Sequence, residues 1–244
     1  EDHTEVHVVL ELCEGGELFD RILDLADEGK TFLEHDAARL VTQVCSAVAH
    51  CHSGGIVHRD LKAENLLFLT KLADSPLKVV DFGLSAEYDA KSSDKLTSGS
   101  IGTPGHIAPE ILNHSKYGHE VDAWSLGVVT YILVSGSSPW EGPSDKEMDE
   151  QIKKGKFAFD VVPAFQKVSQ TCKDFISALL VVDPARRMSV TAALQHDWLQ
   201  LKGGNEALDI TLFESLKQFT QQRKFKKVAM QMLTSKISQE ENAR

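Results

Sequence analysis

The sequence predicts an α+β fold, mostly helical, closed by an amphipathic helix at its C-terminus. Three observations carry this. Apolar residues recur at helical spacing through several separate stretches, the strand-like runs are few and short, and residues 121–135 are apolar on nearly every side. Composition agrees with a globular domain: 42% of residues are hydrophobic and 25% charged.

Residues 7–12 (HVVLEL) are apolar and β-branched and are expected to form a strand. Gly15 and Gly16 punctuate it. Residues 17–25 place Leu18, Ile22 and Leu25 on one helical face. Residues 34–52 make a longer helix with Ala38, Val41, Val44, Cys45 and Val48 inward, stopped by Gly54 and Gly55. Residues 65–69 and 77–80 read as two short strands around Asp74, Ser75 and Pro76. Residues 81–109 are polar, glycine-punctuated and without periodicity, the mark of a functional loop. Residues 121–135 read as a buried helix, and residues 170–182 and 190–199 as amphipathic ones. Gly203 and Gly204 mark a boundary, giving a domain over residues 1–199 and a distinct segment over 200–244.

Several function classes are disfavoured. The net charge of −10 argues against nucleic acid as the main partner. Apolar runs such as residues 176–182 are too short for a transmembrane segment, which needs about 20 residues. Residues 1–5 are acidic and unlike a signal peptide. Cys13, Cys45, Cys51 and Cys172 lack zinc-ligand spacing and read as free thiols of a cytoplasmic protein. The chain does not begin with Met and is expected to be incomplete, which leaves membrane association through a preceding segment open.

Chemistry concentrates in three motifs. His58-Arg59-Asp60-Leu61-Lys62-Ala63-Glu64-Asn65 fits H-R-D-L-x-x-x-N, Asp81-Phe82-Gly83 follows a short hairpin, and Ala108-Pro109-Glu110 closes the long loop. Each is weak alone; three in this order are specific. Over residues 6–199 the chain resembles the protein kinases, which implies a protein-kinase-like fold, chiefly the helical large lobe with the hinge strand.

The resemblance implies the following roles. Asp60, Lys62 and Asn65 are the expected catalytic residues: Asp60 takes the proton of the substrate hydroxyl, and Lys62 neutralises the γ-phosphate. Asn65 and Asp81 are the expected Mg2+ ligands, one amide and one carboxylate that together with ATP phosphates suit that ion. Leu10 looks like the gatekeeper, Glu11 and Cys13 like hinge residues facing adenine, and Leu67 like the floor beneath it. Glu17 and Glu64 offer carboxylates to ribose or to a basic substrate. Asp122 resembles the aspartate that braces the catalytic loop, and Glu110 with Arg187 a buried ion pair. No G-x-G-x-x-G or V-A-I-K precedes Glu1, so the small lobe is expected to be missing from the chain. Three positions depart from the family pattern. Ala63 replaces a usual proline, Gly105-His106 stands where relatives often carry Glu-Tyr, and Gly99 occupies the place of a phosphorylatable threonine. Thr97, Ser98 and Ser100 are the remaining loop hydroxyls.

Residues 208–237 carry Phe213, Leu216, Phe219, Val228 and Met232 at helical spacing. Residues 213–233 hold five basic side chains against Glu214 alone, a net +4, which leaves −14 on the rest of a chain whose net charge is −10. A basic amphipathic helix reads as a membrane-surface or calmodulin-like target. LKQFTQQRKFKKVAMQMLTSKISQEE, with CEGGELFDRI earlier, resembles the autoinhibitory junction of calcium-dependent protein kinases. That resemblance implies ATP and Mg2+ as cofactors, and Ca2+ through a calmodulin-like EF-hand domain, fused or separate, beyond this chain. It also implies protein substrates with basic residues before the acceptor. Phe219, Phe225 and Met232 are the expected anchors. A pseudokinase scaffold and a kinase regulated by separate calmodulin stay open as alternatives.

Overall fold

A computed structural model describes residues 7–88, 96–97, 101–201, 204, 207–209 and 211–242, without the side chains of residue 227 and residues 230–242. Ser98, Gly99, Ser100, Gly203, Lys227 and Met232 therefore fall, wholly or by side chain, outside the described residues.

In chain order the elements are α1 (Leu18–Asp27), α2 (Glu34–Ser53), β1 (Ile56–Val57), β2 (Leu66–Phe68), β3 (Leu77–Val79), β4 (Ala86–Glu87), α3 (Pro109–Leu112), α4 (Glu120–Ser135), α5 (Asp145–Lys154), α6 (Gln170–Leu179), α7 (Val190–Ala193), α8 (Asp197–Gln200) and α9 (Thr211–Asn242). Short 3-10 turns cover Ala63–Asn65, Phe82–Leu84 and Pro163–Gln166.

Helix α4 is the centre. Its residues 121–135 are all buried, and α2, α6, α7 and α9 pack around it. So apolar a helix has no solvent side, because burying every face removes the most apolar area from water. Asp122 and Thr130 share this interior at 0% exposure. Arg187 and Glu110 form the predicted pair through two hydrogen bonds of 2.7 and 2.9 Å, and Arg187 also donates to the carbonyls of Val181 and Glu120. Removing one partner of such a buried pair typically costs about 3–5 kcal/mol, because the other charge is stranded.

Two expectations are corrected. Residues 7–12 form no strand; Val8, Val9, Leu10 and Leu12 are 71–95% exposed. A strand is made by its neighbour's backbone groups, and among the described residues no backbone ladder forms with residues 8–12. Residues 190–199 form two short helices rather than one. Ser189 caps α7 through the Ala192 N–H, and His196 caps α8 by accepting from the Trp198 N–H. Helix α5 was not anticipated. Its marker was Ser144 followed by Glu147, whose N–H the Ser144 hydroxyl accepts.

The start of α9 and the run before it belong to the core. Leu208, Leu212 and Leu216 are 4%, 0% and 0% exposed. Gly136 ends α4 at φ 71°, and a Cβ there would lie 2.7 Å from the Leu212 carbonyl and the Leu216 nitrogen. Glycine thus permits both the left-handed cap and the close helix approach.

Candidate active site

The β2–β3 hairpin assembles the site. Leu66 pairs with Val79, and Val80 N–H donates to the Asn65 carbonyl at 2.9 Å. The register therefore sets Asn65 beside the residue preceding Asp81. Residues 14–17 run along the other edge of β2: Glu14 and Gly15 donate to the Leu69 and Phe68 carbonyls, and Glu17 bridges to Leu67. Glu17 and Leu67 are thus brought side by side. Leu10 at 80% exposure faces solvent and joins none of this. Glu11 pairs with Lys78 at 3.0 Å on the surface, and Cys13 is half-buried.

Asp60 is the hub, at 6% exposure. Its Oδ1 accepts from the Thr103 hydroxyl at 2.6 Å, and its Oδ2 from Lys62 Nζ at 2.5 Å and Asn65 Nδ2 at 3.3 Å. Lys62 also donates to Thr103 Oγ1 at 2.9 Å. Buried charge demands such partners. Asn65 Nδ2 also donates to the Asp60 carbonyl at 2.8 Å, which fixes the amide and leaves its oxygen as the acceptor end. Asp81 stands in the left-handed region at φ 64°, with Oδ1 accepting from Gly83 N–H at 3.2 Å. Left-handed aspartate carries strain, which is retained where a site needs its orientation.

Asp122 braces this loop as expected. Its carboxylate accepts from His58 N–H at 2.9 Å, Arg59 N–H at 2.8 Å and His52 Nε2 at 2.7 Å. The His58 ring lies 3.0 Å through Nε2 from the Val80 carbonyl, and its Nδ1 faces the Asp60 N–H at 3.3 Å. An acceptor Nδ1 requires the proton on Nε2, so one neutral tautomer satisfies both contacts.

Sequence reasoning missed Thr103 and His52. Thr103 had a marker in the preceding Gly102. That glycine sits at φ 114°, and a Cβ would lie 3.0 Å from the Arg59 carbonyl. The chain there must run hard against the catalytic loop, which delivers Thr103 to Asp60.

Residues 219–226 of α9 lie alongside the same site. Phe219 meets Phe19 edge-on at 6.2 Å. Arg223 Nε reaches Glu64 Oε1 at 2.8 Å, Lys224 reaches Asp20 at 2.7 Å and Lys226 reaches Asp145 at 3.1 Å. Phe219 is thus engaged with α1, whereas Phe225 is 77% exposed.

His106 is buried among these groups, with Nδ1 lacking a hydrogen-bond partner. Burial first, then the positive charges of Arg223 and Lys62, hold its pKa well below the ordinary 6.5, against an opposing backbone contact at Pro104. The folded state therefore keeps it neutral, while the unfolded chain takes up a proton as pH falls through about 6.5. Stability should therefore fall as pH drops below that value. Denaturant midpoints at pH 7.5 and 5.5 should show His106→Tyr losing less than the wild type; equal losses would refute the assignment.

The family profile described as "Protein kinase domain" matches residues 1–199. The chain belongs to the protein kinase family. Its fold is the mostly helical kinase fold expected from the motifs. It is 41% identical over 244 residues to a "CDPK-related protein kinase" of Daucus carota, covering 99% of this chain and 39% of that one. It is 39% identical over 245 residues to "Calcium-dependent protein kinase 2" of Arabidopsis thaliana, covering 100% and 36%. It is 42% identical over 236 residues to "Calcium/calmodulin-dependent protein kinase type IV" of Rattus norvegicus, covering 96% and 48%. The kinase chain spans less than half the length of these relatives.

Proposed function

We propose that this protein is a serine/threonine protein kinase that transfers the ATP γ-phosphate to protein hydroxyls, with α9 as a calcium-released brake. The observation that carries the reading is the constellation on Asp60. A carboxylate held by Thr103, Lys62 and Asn65 is oriented to accept the proton of an incoming hydroxyl, and Lys62 supplies positive charge beside it. Phosphoryl transfer needs little else from the protein than positioning and charge neutralisation. Cys13 and Leu67 would line adenine and Glu17 the ribose, while Leu10 and Glu11 stand on the surface beside them.

Asn65 and Asp81 fit magnesium. Among the described residues no three His, Cys, Asp or Glu side chains converge to hold a metal alone. An amide oxygen plus a carboxylate is the sparse set this ion takes beside phosphate oxygens. Bound there, the ion would neutralise phosphate charge. Asp81→Ala in the full-length protein should therefore abolish magnesium-dependent tightening of ATP binding and drop turnover about 10²-fold or more. Calorimetric titration with and without magnesium, beside a peptide assay, checks this; unchanged magnesium dependence would remove Asp81 from the site.

The brake reading is supported by Arg223 on Glu64. In this reading residues 1–199 form the catalytic domain and 200–244 the regulatory segment. Glu64 carries the charge that a basic substrate side chain would seek, and α9 supplies one in cis. The names of the plant relatives and of the rat kinase supply calcium and calmodulin as the releasing chemistry. A calmodulin-like EF-hand module, fused or separate, is the proposed partner, and proteins with basic residues before the acceptor are the proposed substrates. In the same reading the protein acts in the cytoplasm.

A further inference from the structure

Arg59 is held by four acceptors drawn from three parts of the fold. Its N–H donates to Asp122 Oδ1 at 2.8 Å, Nε to the Leu84 carbonyl at 2.6 Å, Nη2 to the Ser85 carbonyl at 3.2 Å and Nη1 to the Tyr117 hydroxyl at 3.0 Å. Its backbone sits at φ 69°. A non-glycine residue stays in that left-handed region only when its surroundings over-determine it. Arg59 immediately precedes Asp60, so this geometry sets where the catalytic carboxylate stands.

Tyr117 is the side-chain member of that set on the far side of the long loop. It is 2% exposed, and its backbone pairs with Leu96 in both directions, at 3.0 and 3.1 Å. One residue therefore fastens the loop at Leu96 through its backbone and the catalytic loop at Arg59 through its hydroxyl. Kinases switched by loop phosphorylation use an added phosphate to draw arginine and loop together. Here neutral acceptors already occupy Nε, Nη1 and Nη2 of Arg59, two from the end of the 3-10 turn after Asp81 and one from Tyr117.

We propose that Tyr117 is a positioning residue for phosphoryl transfer: its hydroxyl holds Arg59, and with it Asp60 and residues 84–85, in working register with no phosphate on the loop. This rests on the kinase reading above. The hydroxyl is a permanent acceptor, so the catalytic loop is set on folding, and control passes to α9.

The test uses the full-length protein at saturating calcium. Tyr117→Phe keeps the ring and the Leu96 pairing and removes only the hydroxyl. It should lower kcat about tenfold while KM for ATP stays within about twofold, as loss of a transition-state contact does. Combined with Arg59→Ala it should add nothing, since Arg59→Ala already removes the bond to the Tyr117 hydroxyl along with its others. Phosphatase-treated wild type should keep its kcat. Amide exchange should quicken in the peptide covering residues 81–88 of Tyr117→Phe and stay unchanged in α4. An unchanged kcat with unchanged exchange, additive losses in the double variant, or a wild type that dies on phosphatase treatment would each overturn the proposal. A wild type with no turnover at all would refute the kinase reading instead, and the exchange measurement would still decide whether Tyr117 holds Arg59.

Discussion

Asp60→Asn in the full-length protein is expected to abolish turnover while the fold survives. Asparagine has the same shape, and its oxygen can still accept the Thr103 hydroxyl. Its amide then points two N–H donors at Lys62 Nζ, itself only a donor and now 2.5 Å from Oδ2. The site loses its proton acceptor and its internal charge pair together. Losing a positioned general base typically costs about 10²–10⁴-fold. Steady-state transfer to a serine peptide with arginine before the acceptor should show kcat collapsing and KM for ATP near the wild-type value. A variant that turns over within about threefold of wild type would remove Asp60 from the chemistry.

Cutting the full-length protein after Gln222 is expected to give activity that no longer needs calcium, at least about tenfold above the calcium-free wild type. The place of the cut follows from how residues 208–216 and residues 219–226 are held. Leu208, Leu212 and Leu216 are core residues, so removing everything after Leu201 would strip buried apolar surface and confuse unfolding with release. Beyond Phe219 the helix is held by charges alone among its described contacts. The Lys224–Asp20 and Lys226–Asp145 pairs are largely exposed, and such pairs contribute about 0–1 kcal/mol each. Arg223 with Glu64 is better shielded, at 23% and 28% exposure, and it sits on the residue a basic substrate would use. A brake held this lightly can be lifted by a partner of modest preference, and moving from mostly closed to mostly open takes about 5.5 kcal/mol. Arg223→Glu should act in the same direction as the cut. Low, still calcium-dependent activity in the truncated protein would reduce α9 to a docking element.

The elements legible in the sequence were those with a strong local pattern. Helices α1, α2, α4 and α6 lie within a few residues of expectation, because a 3.6-residue apolar period reports directly which face is buried. The β2–β3 hairpin was legible from two apolar runs around a proline turn. Residues 7–12 misled, since a strand's existence depends on a partner that its own residues do not encode. The break between α7 and α8 misled because periodicity continued across it while the caps at Ser189 and His196 did not.

Within the site, the motifs and their resemblance to the kinases pointed to Asp60, Lys62, Asn65 and Asp81, and their confinement to 22 residues of sequence by a loop and a hairpin kept them close. They also determined that a basic helix closes an acidic chain. What only the tertiary structure decided is which distant groups meet them: Thr103 on Asp60, His52 beneath Asp122, Tyr117 on Arg59 and Arg223 on Glu64. Those partners lie 43 to 159 residues apart in the chain, counting from Asp60 to Thr103 and from Glu64 to Arg223. Hydrogen bonds form only within about 3 Å, so such meetings are set by how helices pack against α4, and no local pattern records that.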